Sequence, residues 1–217
     1  RIAFSTDLGI VPVAKEVVNV TEVAIKQLAG RGINITGDIP DFTGVLDAFH
    51  TLRAVLLGTM MGGLLETYRD RISEDIVGNI ERGFTVTPEE LFQASRLRSD
   101  LTQRMAEFFE IHDLLVCPSA SIPPFPVEQR FMTEIDGESC NTYIDWFAIT
   151  FAITMTSCPV ISIPCGFTGD SLPVGLQVVG RPRGEAALLQ AAQQFEQIFA
   201  ITGNLPIDPR EGTPNDL

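Results

Sequence analysis

Apolar positions along the chain recur with two periods, and the two alternate. Short runs rich in β-branched residues at 2–4, 33–36, 114–117, 160–163 and 174–179 have the length of buried strands. Longer stretches between them place apolar residues every three or four positions, as one face of a helix requires. Val13, Val17, Val20, Ala24 and Leu28 form such a stripe, with Pro12 suited to its first turn and Gly30 and Gly32 near its end. Strand, helix and strand within about 35 residues form a βαβ unit, whose crossover should be right-handed.

A second helical stretch runs over 45–68, with Leu46, Phe49, Leu52, Leu56 and Met60 on one face. Gly58, Gly62 and Gly63 weaken it by about 1 kcal/mol each relative to Ala, so GTMMGG marks a close helix approach, a break, or a flexible gate. Residues 69–81 are polar and predict a surface helix ending at Gly83. Thr87-Pro88-Glu89-Glu90 is a capping box with proline at the first helical position, and Leu91, Ala94, Leu97, Leu101, Met105 and Phe108 carry its stripe to about Glu110. Beyond the strand at 114–117, residues 118–126 hold four prolines, an irregular run suited to a lid or pocket wall. In 141–159, Tyr143, Trp146, Phe147 and Phe151 begin at helical spacing, as core packing or as an apolar pocket. The segment 158–199 reads as two buried strands separated by a loop at Gly166, Gly169, Asp170 and Pro173. A corner at Gly180 and Pro182 leads to a helix carrying Leu188, Ala191, Ala192, Phe195, Ile198 and Phe199. The pattern predicts an α/β protein with a mixed, mostly parallel sheet flanked by helices.

Composition narrows the function classes. Hydrophobic residues make up 45% and charged residues 20% of the 217 positions, the balance of a folded domain. A formal net charge of -13 opposes nonspecific nucleic-acid binding, which needs Lys and Arg to neutralise phosphates. Read run by run, no apolar stretch reaches about 18 residues, so no membrane span is expected. The start, RIAFSTDLG, lacks a signal peptide's basic region and cleavage site. Cys117, Cys140, Cys158 and Cys165 contain no CxxC pair, and with two His in all they predict free thiols, no zinc site and a cytoplasmic setting. No GxGxxG supports a dinucleotide site, and no cofactor is expected. Asp7 and Gly9 sit at a strand exit, as either a ligand position or a simple turn. His50 and His112 read as structural, since neither has a Ser and an acid in a recognisable triad arrangement.

One stretch carries more than periodicity. SCPVISIPCGFTGDSLPVGLQVVGRPRGEAALLQAAQQFEQ, dense in Gly and Pro at fixed offsets, resembles the closing segment of the amidase signature family. RIAFSTDLG is similar to the strand that follows that family's catalytic core, and HDLLVCPSA to a later core strand with its loop. The resemblance implies a serine hydrolase that cleaves carboxamides, or passes on the released ammonia when built into an amidotransferase. The family's nucleophilic Ser, bridging Ser and general-base Lys lie in its first half. This chain has no Gly-Gly-Ser-Ser run and only Lys15 and Lys26. No catalytic residue is therefore assigned. The loops near Pro118, 143–156 and Cys158 are similar to those facing the family's active site, which makes Phe125, Tyr143, Trp146, Phe147, Thr150, Thr154 and Cys158 candidate walls of a substrate pocket. Two departures stand out: against a pattern like NLTGLP, Thr154 replaces Asn and Ser157 replaces Gly, and Ser171 occupies a usual Gly before Leu172-Pro173.

The expectation is either a single α/β domain over 1–217 or the C-terminal part of a larger amidase domain. In the second case the chain completes the sheet and forms one wall of a substrate funnel for a small neutral or apolar amide. A missing first half or a companion subunit then supplies the Ser-Ser-Lys set, and the cut surface exposes apolar area that favours a homodimer. The alternatives are a noncatalytic α/β scaffold or partner-binding lobe, and one of the subunits of a tRNA-dependent amidotransferase.

Overall fold

The computed structural model describes residues 1–201. In chain order its strands are β1 (Ile2–Phe4), β2 (Ile35–Thr36), β3 (Leu114–Pro118), β4 (Glu134–Ile135), β5 (Glu138–Ser139), β6 (Val160–Phe167) and β7 (Pro173–Gly180). Its helices are α1 (Lys15–Gly30), α2 (Val45–Met61), α3 (Leu65–Tyr68), α4 (Glu74–Thr85), α5 (Pro88–Ile111), α6 (Ala148–Thr154) and α7 (Glu185–Phe199).

Five strands form one sheet in the order β2-β1-β3-β7-β6, and β4 and β5 make a separate two-stranded ladder. β1 is parallel to β2 and to β3, whereas β7 is antiparallel to both β3 and β6. β2, β1, β3 and β6 thus run one way and β7 alone runs against them, giving the expected mixed, mostly parallel sheet.

Alternation along β3 divides the core. Leu114 and Val116 face a cluster built with α1 and α7, while Leu115 and Cys117 face one built with α2, α5 and α6. This is the period of two that any strand imposes, here apolar on both faces because helices cover both. α1 joins β1 to its parallel neighbour β2, as the βαβ reading requires.

Helix starts divide into local and distant ones. α5 begins at the expected capping box: the Thr87 hydroxyl accepts from the Glu90 N–H, and the Glu90 carboxylate accepts from the Thr87 N–H at 2.7 Å. That backbone bond, and then Arg82, hold the Glu90 carboxyl down at about 2. α1 starts at Lys15, so Pro12 lies outside it. Its first free N–H is capped by Asp136 at 2.7 Å, from a residue 121 positions away. At the far end of α5, His112 stacks on Phe108, and its Nε2 lies 3.1 Å from both Thr36 Oγ1 and Asp38 Oδ2.

Other expectations need correction. The stretch 69–81 is a surface helix only in part: a 3-10 turn covers Arg69–Arg71, and α4 starts at Glu74 with Val77 and Ile80 buried on one face and its other residues exposed or half-buried. Its neighbour α2 ends at Met61, and a 3-10 turn at Gly62–Leu64 separates it from α3. The glycines explain both points. A Cβ on Gly83 would stand 2.2 Å from the Ala54 carbonyl oxygen, and one on Gly58 would stand 3.3 Å from Gly83 Cα, so α2 and α4 approach backbone to backbone. The helical run Val45–Arg71 is also long and apolar enough to cross a membrane, with a mean hydropathy of 1.3 over its best window. Scanning for unbroken apolar runs missed it because Arg53, Thr51, Thr59 and the glycines interrupt it. β6 is an edge strand rather than a buried one. It extends through Gly166, which lies at a bulge and not in the loop, and leaves Val160 and Phe167 exposed.

Ser157 and Ser171 adopt φ of 60° and 62°, the left-handed region that glycine enters freely. Both positions keep a glycine-type backbone with a serine in place. Ser157→Gly should therefore stabilise the fold by on the order of 0.5–1 kcal/mol in denaturant unfolding, the relief of left-handed strain less the added chain entropy. Destabilisation of similar size would contradict that reading.

Candidate substrate cleft

Where β3 leaves the sheet, the chain enters the proline-rich loop, and a cleft of about 600 Å³ opens beside it. It lies at the carboxyl end of β3, beside Ser162 and Pro164 in the body of β6 and the first residues of β7. Open α/β sheets commonly place ligands at the carboxyl end of a strand. Val17 of α1, Ile122 to Phe125 of the loop, Trp146, and residues of the β6–β7 hairpin line it. No charged side chain is among the lining residues.

Two hydroxyls interrupt this apolar surface. Ser119 Oγ and Ser162 Oγ share a hydrogen bond at 2.6 Å. Gly175 lies beneath them: a Cβ there would meet Ser119 Oγ at 2.9 Å and Ser162 Oγ at 3.1 Å. The loop is tied to the sheet by the Ser119 N–H, which donates to the Gly175 carbonyl at 2.9 Å, and to α6 by the Thr150 hydroxyl, which donates to the Ser119 carbonyl at 2.7 Å. Gln177, almost fully buried, donates to the Pro118 carbonyl at 3.1 Å and the Ile149 carbonyl at 3.4 Å. A buried amide that bridges strand and helix in this way fixes the position of the strand exit.

Aromatic side chains build the facing wall. Trp146 meets Phe125 edge to face, with ring centroids 5.2 Å apart, and meets Phe147 at 4.8 Å. Of the seven sequence candidates, Phe125 and Trp146 line the cleft. Thr150 holds its loop, and Phe147 packs behind Trp146 and against Phe151. The other three lie elsewhere. Tyr143 lines a separate polar cavity with His50 and Asn79, and Thr154 lines an apolar groove with Phe49, Leu56 and Met155. Cys158 is half-buried, its thiol raised by burial although the Thr156 contact opposes this. Burial pushes the Cys117 and Cys165 thiols up to about 12, so neither is a ready nucleophile. Lys15 and Lys26 are exposed on α1, and neither lines the cleft. Asp7 closes its own turn by accepting from the Gly9 N–H at 2.8 Å. His50 lies 3.4 Å from Asp145. Sequence reasoning missed Ser119, Ser162 and Gly175, whose contact exists only once β3, β6 and β7 are side by side. The one signal was a polar Ser beside or within an apolar run, Ser119 just past 114–117 and Ser162 inside 160–163.

An α/β sheet with an apolar cleft beside a strand exit has the form of a small-molecule binding site. The Amidase family model matches residues 1–189, and the chain belongs to that family. It is 26% identical to the acylamidase of Rhodococcus erythropolis, across 96% of this chain and 44% of that enzyme. It is 32% identical over 114 residues to a glutamyl-tRNA(Gln) amidotransferase subunit of Prochlorococcus marinus, across 52% of this chain and 22% of that protein. Among solved structures, a bacterial aryl acylamidase of the amidase signature family superposes with a TM-score of 0.80 at 20% identity, covering 95% of this chain and 46% of that one. The 6-aminohexanoate cyclic dimer hydrolase superposes with a TM-score of 0.77 at 19% identity, covering 92% and 45%. Likeness at those identities establishes the fold. The chain spans less than half the length of these relatives.

Gly175→Ala should drive the hydroxyl pair apart and cost about 1–3 kcal/mol of stability, the usual penalty for overpacking. Denaturant unfolding with no loss would show that the serines do not crowd this strand.

Proposed function

We propose that this chain is the C-terminal portion of an amidase-signature serine hydrolase, which cleaves a carboxamide to a carboxylate and ammonia or an amine. It forms sheet and substrate wall, while the nucleophilic Ser, bridging Ser and Lys base lie outside it. The observation that carries the reading is the uncharged, aromatic-walled cleft with a hydroxyl pair but no lysine. Amide cleavage without a metal needs a nucleophile, a proton carrier matched to the leaving nitrogen, and donors for the oxyanion. The cleft supplies apolar binding surface and two hydroxyls, but no basic side chain to activate either of them.

The same lining argues for the substrate class. An ionised group entering it would lose hydration without meeting a countercharge, which costs several kcal/mol. A neutral amide with an apolar or aryl acyl part loses little and gains burial against Phe125 and Trp146. β6 supports the remainder of the reading. It is an eight-residue edge strand with no charged residue, a form that edge strands rarely keep unless something covers them. The four free cysteines fit a reducing, cytoplasmic setting. A second reading, the amidase component of a tRNA-dependent amidotransferase, draws on identities of 30–37% over about half the chain to glutamyl-tRNA(Gln) amidotransferase proteins. It requires companion subunits that copurify.

The purified chain, assayed on a neutral anilide, should show background hydrolysis. Supplying the rest of its open reading frame, with a Ser-Ser-Lys set, should restore turnover. Robust, inhibitor-sensitive hydrolysis by the chain alone would refute the proposal.

A further inference from the structure

Trp146 is held in the cleft wall by a relay that begins on two helices remote from it. Its indole N–H donates to the Tyr143 carbonyl at 3.0 Å. The Tyr143 hydroxyl accepts from Arg53 Nη2 of α2 at 2.7 Å and from Asn79 Nδ2 of α4 at 3.2 Å. Arg53 Nη1 also donates to Asn79 Oδ1 at 2.8 Å, closing a triangle, and its guanidinium lies 5.6 Å from the Tyr143 ring centroid. Asn79 is fixed in turn by donating to the Asp75 carbonyl at 2.8 Å. All three side chains are half-buried, and Arg53 has no carboxylate partner among the described residues. Its charge is directed at the phenol oxygen, where charge-assisted bonds in partial burial are strong.

We propose that Arg53, Asn79 and the Tyr143 hydroxyl are positioning residues. They lock residues 143–147 so that the Trp146 ring stands edge-on to Phe125 and sets the cleft's width for the apolar part of the amide. The inference rests on the cleft being the substrate site. The geometry explains why Tyr143, which does not line the cleft, still matters to it: its main chain orients the tryptophan while its phenol is pinned from the opposite side. It also gives Arg53, which has no carboxylate partner among the described residues, a definite acceptor in the phenol oxygen. The close approach of α2 and α4 through Gly58 and Gly83 brings Arg53 and Asn79 within reach of one oxygen.

The chain contains a single tryptophan, so its emission reports the claim directly. In a longer natural polypeptide, subtracting the Trp146→Phe spectrum isolates the signal. Tyr143→Phe removes one hydroxyl, and Arg53→Ala removes the cation. Each should shift Trp146 emission to longer wavelength and raise its quenching by acrylamide, in protein that still unfolds cooperatively. In the complete enzyme each should raise KM for an aryl amide about tenfold, as expected for losing one charge-assisted bond, with a smaller change in kcat. The double variant should be no worse than the worse single one, because both delete the same link. Arg53→Lys, which keeps a donor, should recover part of the effect, and it serves as the test if Arg53→Ala does not fold. Unchanged emission and quenching in folded Tyr143→Phe, and in Arg53→Ala wherever it folds, would overturn the relay, even if Trp146→Ala raises KM and so upholds the cleft. Altered emission in these variants, with KM unchanged both in them and in Trp146→Ala, would uphold the relay and instead refute the cleft as the substrate site.

Discussion

The structure depends on one constraint, the burial of β3 on both faces and both edges. β1 runs parallel along one edge and β7 antiparallel along the other, and Leu115, Val116 and Cys117 have no solvent exposure. Every backbone group of such a strand must be paired within the protein, so its ends are held in one exact register with both neighbours. At the carboxyl end this exactness passes to Ser119 through the Gly175 carbonyl and to Pro118 through Gln177. The cleft wall is therefore a consequence of strand pairing rather than of the loop's own sequence.

From that end, two layers of support spread outward. The near one joins the loop to α6 through Thr150 and to the hairpin through Ser162. The far one reaches Trp146 through Tyr143, Arg53 and Asn79, and depends on glycines that let α2 and α4 touch. A site built this way can present apolar walls with little local strain, because its rigidity is borrowed from secondary structure. Ser157 and Ser171, two of the non-glycine residues held at positive φ, lie in the segments that lead into β6 and β7.

What could be read from the sequence was local. The capping box at Thr87 and Glu90, the stripe of α7 and the runs that became β3 and β7 each announce themselves within a few residues. The loop between the last two strands and the family resemblance rest on the same short-range density of Gly and Pro, whereas the antiparallel pairing of β6 with β7 shows only in the structure. Contacts between distant positions were not legible. Ser119 and Ser162 are 43 residues apart, Arg53 and Tyr143 are 90 apart, and Asp136 caps a helix 121 residues earlier. The stretch 143–156 reads from its spacing as core packing or as an apolar pocket, and that spacing is helical only at first. A 3-10 turn at Asp145–Phe147 precedes α6, and the resulting rotation sends Tyr143 and Thr154 to cavities away from Trp146. The polar look of 69–81 fits the outer side of α4 and hides its inner one, where Val77, Ile80 and Gly83 suffice to seat the helix on its neighbour.

The most direct test of the account is to ask where an apolar amide sits. An aryl amide carrying a photoreactive diazirine, activated on the longest natural polypeptide that contains this chain, should label the peptides holding Ile122 to Phe125 and Trp146. Labelling that instead falls on Phe49, Leu56 and Met155, in the other apolar groove, and spares Trp146 would contradict the account.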